Sequence, residues 1–357
     1  MKAVHRASSN EIRNSSFELL RLILMVMIVI HHCIVHGLGL SGLSAQFERQ
    51  LVLSPDQMEI AFGINAFCIC AVNCFILISG YFKINVSAKR FINLLLSLIV
   101  YTILLAIIPN LIEGNYKGAL KACLFLSHSP YWFVIDYLFL MVFAPMLNLG
   151  FEIFSKHERR LILIGLILIS SYFGFLWGHM ANKNGYTILQ FITMYCLGRE
   201  IAISRIRITI PKSTIIYIGV SVFLASIGWI CWKTGRHELA WRTTYYNDPL
   251  LIISSVGLFM LFSNINFHSK FINILAKSAF GIYLFQSSVV IGSVMYEWLQ
   301  YNSRSYGNWI FLVIILIALL TVMIAILLDQ LRIYILNIMQ PLCVELYKKL
   351  KYEIYKI

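Results

Sequence analysis

The chain has 357 residues, 59% hydrophobic and 13% charged, with a mean hydropathy of +0.78; ordinary soluble domains carry about 25% charged residues. This excludes a soluble globular domain and points to a polytopic membrane protein. The net charge of +13 invites nucleic acid as a partner, but the basic residues track the membrane topology, and no nucleic acid is expected.

Runs of about 20 apolar residues span a hydrocarbon core of about 30 Å. Ten such runs are expected, at 17–37, 60–81, 90–110, 130–150, 160–178, 186–203, 213–232, 248–263, 272–292 and 307–331. The fold class predicted is therefore all-α, a bundle of about ten transmembrane helices forming one domain over 1–357. No short apolar segment with a small-residue cleavage site precedes the first span, so no cleaved signal peptide is expected. With the N-terminus placed in the cytoplasm, most of the 29 Lys and Arg fall in cytoplasmic segments, which predicts both termini inside. Connectors are short, and no separate soluble domain fits between them.

The first span, Asn14 to Gly37, carries Glu18, Arg21, His31, His32 and His36. An ionisable group at the centre of a bilayer costs roughly 2.5–3.5 kcal/mol on an insertion scale. Arg21 and His32 stand eleven residues apart, about 16 Å along a helix, and about 20° from the same side. One helix face thus presents a cation near one membrane surface and an imidazole deeper in. The alternatives are an Arg that snorkels to the headgroups and a wet His near a helix end.

The second span ends in Asn73 to Phe82, followed by Lys83, Lys89 and Arg90. Ser79-Gly80 permits close helix approach, and the basic cluster suits either a phosphate-bearing ligand or ordinary positive-inside flanking. Residues 116–126 read as an interfacial helix with Lys117 and Lys121 on one face. Trp132 opens the fourth span at an interface, Asp136 is an intramembrane carboxylate in need of a partner, and Pro145 should kink the span. The loop from Trp232 to Asp248 is aromatic and polar, suited to gripping a sugar or to lying at an interface. Asp329 and Arg332 read as a helix-surface pair.

The eight Cys mostly sit in apolar runs and imply no disulfide framework. Cys70 and Cys74 stand four apart, but no second pair or His set completes a metal site, and they read as small packing residues.

Taken in order, these stretches resemble acyltransferase family 3, integral-membrane proteins that include bacterial O-acetyltransferases of surface polysaccharides. Glu18-Leu19-Leu20-Arg21, ten residues, then His32 resembles the family's first-helix Arg-x10-His motif. Asn73 to Phe82, Trp132 to Leu147, Ser278 to Gln286, Leu197-Gly198 and Tyr246 to Pro249 resemble its further segments, in the right order across the chain. The resemblance implies transfer of an acetyl group from acetyl-CoA, as co-substrate and with no bound cofactor, to a hydroxyl of a surface polysaccharide or its lipid-linked precursor. It implies a multi-pass protein of the bacterial cytoplasmic membrane, embedded in the lipid bilayer. Arg21, Lys83, Lys89 and Arg90 are then the donor-binding residues, and His32 with Arg21 the catalytic pair, His32 acting as base or as acyl carrier. Glu18, Ser79 and Gln286 support them, Trp132, Asp136 and Asn247 face the acceptor, and His31 and His36 are secondary candidates. Gln286 departs from the pattern, since many members carry His there; an amide replaces only its hydrogen bonding. Two competing classes are a transporter or flippase of a lipid-linked sugar and a non-catalytic scaffold or sensor.

Overall fold

The computed structural model describes residues 14–44, 51–124, 131–178 and 180–354, and among these it is helical with no strand. Of the 29 Lys and Arg in the topology argument, Lys2, Arg6, Arg13, Arg49 and Lys356 lie outside the described residues, as do positions 125 and 126 of the expected interfacial helix. A helix is the one local structure that satisfies every backbone polar group within an apolar segment, so apolar runs of this length become helices.

In chain order the helices are α1 (Ser16–Gly37), α2 (Pro55–Tyr81), α3 (Ala88–Ile112), α4 (Tyr116–Cys123), α5 (Trp132–Ile153) and α6 (Lys156–Leu176). There follow α7 (Ile188–Ile203), α8 (Ile210–Lys233), α9 (His237–Arg242), α10 (Pro249–Ser263), α11 (Lys270–Leu275), α12 (Ala279–Gln286), α13 (Val289–Tyr306) and α14 (Ile310–Ile354). Seven described stretches are long and apolar enough to cross a membrane: α1, α2, α3, α5, α6, α8, and Val289–Glu345, which α13 and α14 share.

Three of the ten expected spans therefore take another form. α7 and α10 have only 16 and 15 residues. Both start beside a loop that dips into the bundle, where the Tyr246 carbonyl accepts from Asn73 Nδ2 at 2.9 Å and from Gln190 Nε2 at 2.8 Å. The segment expected at 272–292 is broken: α12 ends at Gln286, and Ser288 caps α13, its side chain accepting from the Ile291 N–H. A serine pair offers the backbone local partners of this kind, which stop a helix. The last helix also runs well past the expected span end at 331, for 45 residues in all, or about 68 Å at 1.5 Å per residue. α5 continues across Pro145.

α2 and α7 run parallel at backbone contact. A Cβ on Gly80 would lie 2.2 Å from the Tyr195 carbonyl oxygen, and one on Gly198 2.4 Å from that of Leu77. The small residues seen in sequence at both places are what this approach requires. The start of α1 meets the end of α2, with Phe17 and Tyr81 rings 5.7 Å apart, so α1 and α2 are antiparallel neighbours and Arg21 lies at the Tyr81 end of the bundle. The Asp329–Arg332 pair is not on a helix surface. Asp329 is fully buried, held by Arg332 and by Tyr101 of α3, because α14 packs antiparallel along α3.

Candidate active site

Glu18, Arg21, Met25, Ile28 and His32 follow at helical spacing down one face of α1, and all five line a single cavity of about 400 Å³. The stretch from Glu18 to His32 spans about 21 Å at 1.5 Å per residue. α1 begins where Asn14 Oδ1 accepts from the Ser16 N–H at 3.0 Å, and Glu18 in the first turn complements the positive end of the helix dipole. Directly after His32 the helix widens into a π-helix over Cys33–Gly37, a local form that gathers at functional sites.

The three histidines separate cleanly. His31 is buried on another face, its Nδ1 2.6 Å from Asn65 Oδ1. His36 lies between the rings of His32 and Tyr296, with centroids at 5.4 and 5.5 Å. Only His32 lines the cavity. Its Nδ1 is 2.8 Å from Gln286 Oε1, and Gln286 Nε2 donates to Ser287 Oγ at 2.6 Å. With the amide nitrogen engaged by Ser287, its oxygen faces the imidazole and accepts from Nδ1–H. Nε2 is then the unprotonated nitrogen, without a hydrogen-bond partner among the described residues. This is the arrangement of a base held by an orienting group. The fully buried Gln286 thus takes up the hydrogen bonding that the sequence left to it.

Arg21 Nη1 donates to Glu18 Oε1 at 2.5 Å, which leaves the rest of its guanidinium to the cavity. Of the other expected donor-binding residues, none lines the wall. Lys83 pairs with Glu152 on the exposed surface. Lys89 and Arg90 are exposed at the start of α3, with Arg90 Nη1 donating to Asn85 O at 2.8 Å. Arg90 stands one turn before Leu94, which does line the cavity, but does not line it itself. The second cation in the wall is Lys277, which the sequence analysis did not single out; its signal was its place directly before the Ser278 to Gln286 motif.

Ser79 lines the cavity while its hydroxyl donates to Phe75 O at 3.0 Å. Trp132 also lines it, stacked on Tyr246 with centroids 5.8 Å apart at 26°. Asp136, half-buried, neither lines the cavity nor has a hydrogen-bond partner among the described residues. Asn247 does not line the cavity. It is wholly buried, its Nδ2 donating to Ser170 O at 3.0 Å and Asn182 O at 2.5 Å, while its own carbonyl accepts from Ser171 Oγ at 2.9 Å. Together with Asn73, Gln190 and Asn182 it forms a buried polar network that fixes the inward loop, and so fixes Tyr246 as cavity wall. Tyr137 and Tyr283 are further wall residues that the sequence reading passed over; aromatic residues in a helix otherwise read as packing.

The cavity therefore offers two cations at one end, an apolar shaft along Met25 and Ile28, and an oriented imidazole at the other end. A long anionic molecule with a narrow reactive arm fits such a shape. A family model described as an acyltransferase domain matches residues 14–328. No curated protein and no solved structure matches the chain.

Proposed function

The chain belongs to the acyltransferase family 3 membrane proteins, and on that premise we propose that it moves an acetyl group from acetyl-CoA to a hydroxyl of a cell-surface polysaccharide or its lipid-linked precursor. The observation that carries the reading is the shared cavity, with Arg21 and Lys277 at one end and His32, held by Gln286, at the other. The Arg21 end is the cytoplasmic end, and the membrane is the cytoplasmic membrane of a bacterium.

The donor's phosphates sit on Arg21 and Lys277 by charge-assisted hydrogen bonds. Its pantetheine arm runs along Met25 and Ile28 and brings the thioester to His32. The acceptor hydroxyl loses its proton to His32 Nε2 as its oxygen attacks the thioester carbonyl carbon. The carbon–oxygen bond forms and the carbon–sulfur bond breaks. The leaving thiolate takes the proton back from Nε2, so no net charge accumulates on the protein. General-base help of this kind is worth roughly 10²–10⁴ in rate.

Mass spectrometry of the host polysaccharide, with and without the protein, tests the reading. O-acetyl groups that depend on both the protein and acetyl-CoA are expected. Sugar translocation with no acetyl-CoA dependence refutes the proposal in favour of a flippase.

A further inference from the structure

A second cavity, of about 480 Å³, lies between α3, α4 and the first turns of α13. His32 does not line it, and the Tyr131 and Tyr283 rings, 6.2 Å apart, wall it off from the first cavity. Ala106, Pro109 and Glu113 face it from α3 and the turn just beyond, Lys121 from α4, and Val290 and Val294 from α13. α3 starts just after the Tyr81 end of α2, where Arg21 lies, so Glu113 and Lys121 stand at the opposite membrane surface. From Thr102 to Glu113 the wall runs about 16 Å at 1.5 Å per residue, from the middle of the bundle to that surface.

The charges carry the inference. Glu113 and Lys121 line one space, yet they do not pair with each other, and neither side chain has another ion-pair or hydrogen-bond partner among the described residues. Opposite charges held apart across a gap match a ligand that carries both, an ammonium for Glu113 and a phosphate for Lys121. The corner that presents them is fixed: Asn115 Nδ2 donates to Asn110 Oδ1 at 2.7 Å, and Asn115 Oδ1 accepts from the Gly118 N–H at 2.9 Å. Deeper in, the two serines of the wall are already spent on the backbone. Ser288 Oγ donates to Phe285 O at 2.8 Å and Ser293 Oγ to Val290 O at 3.0 Å, which leaves an aliphatic slot. Val289 and Val294, at its side, are 66% and 67% exposed. In a chain that spans a membrane, such a slot opens sideways onto hydrocarbon.

We propose that this cavity holds one zwitterionic phospholipid, with its ammonium on Glu113, its phosphate on Lys121 and an acyl chain along Ala106, Val290 and Val294. The lipid braces α3 and α4 against α13, whatever reaction the first cavity performs. Native mass spectrometry of the full chain, stripped of lipid in detergent, tests this with phosphatidylethanolamine and phosphatidylglycerol of the same acyl chains. One phosphatidylethanolamine binds about tenfold more tightly than phosphatidylglycerol, the effect of one charge-assisted hydrogen bond. Glu113→Gln removes the ammonium's partner and abolishes that preference. Lys121→Gln weakens both lipids about tenfold, since both carry the phosphate. Glycerophosphoethanolamine, the headgroup without its chains, binds roughly a hundredfold more weakly than the lipid, because the slot is left unfilled. Both substitutions change exposed side chains, and an unfolding midpoint near wild type in lipid-free detergent confirms that each variant is folded. Four results overturn the proposal: equal binding of the two lipids by the wild-type protein, an unchanged preference in Glu113→Gln, an unchanged affinity in Lys121→Gln, or a headgroup that binds as tightly as the lipid.

Discussion

Two acid–arginine pairs share one spacing and one distance, yet they play opposite parts. In Asp329–Arg332 the guanidinium gives Nε to Oδ1 at 2.5 Å, Nη2 to Oδ2 at 2.8 Å and Nη1 to Ser97 Oγ at 3.0 Å, while Tyr101 donates to Oδ1 at 3.0 Å. The side chains are 0% and 10% exposed. In Glu18–Arg21 a single contact at 2.5 Å joins side chains that are 6% and 24% exposed. The first pair is chemically saturated and ties α14 to α3. The second holds one edge of a guanidinium and turns the others into a cavity. Inside a membrane bundle, function is found where a polar group is held but not used up.

The contrast is broken most strongly at the closed pair. Asp329→Ala leaves Arg332 buried without its carboxylate, a loss of about 3–5 kcal/mol. Thermal unfolding in detergent should show a large drop in midpoint or no folded protein, whereas Glu18→Ala should unfold close to wild type. Arg21→Ala should sharpen the other side. Removing one charge-assisted contact to the donor, worth about 1.5–3 kcal/mol, should raise KM for acetyl-CoA by about 10–100-fold, with unfolding near wild type. Gln286→Leu removes the acceptor for His32 Nδ1–H, and kcat should fall about tenfold for a hydrogen bond of about 1.4 kcal/mol with KM for acetyl-CoA unchanged. Gln286→Glu keeps that acceptor and should restore most of the rate. Lys277→Ala should have the smallest effect, about threefold in KM for acetyl-CoA, since an ammonium binds phosphate as a point charge.

What was legible in the sequence is what helical periodicity and composition fix. The membrane class, the placement of most apolar helices and the shared face of Arg21 and His32 all follow from spacing. The close approach of Gly80 and Gly198 was also legible, because only small residues permit it. The rest depends on what packs against what. Asn247 and Asp329 are polar residues in apolar runs, and no local pattern tells a saturated buried group from one facing a ligand. The inward loop that shortens α7 and α10 rests on tertiary contacts such as those of Asn73 and Gln190 with the Tyr246 carbonyl. Lys83, Lys89 and Arg90 share the Arg21 end of the bundle but stand outside its wall, a difference of side-chain direction rather than of sequence position.

The measurement closest to the centre of the account is His32→Ala in the full chain, with acetyl transfer, acetyl-CoA binding and thermal unfolding read on one preparation. The expected result is a fall in transfer of roughly 10²–10⁴-fold, with donor affinity and unfolding midpoint unchanged. Transfer near the wild-type rate would remove the imidazole from the reaction and contradict the account.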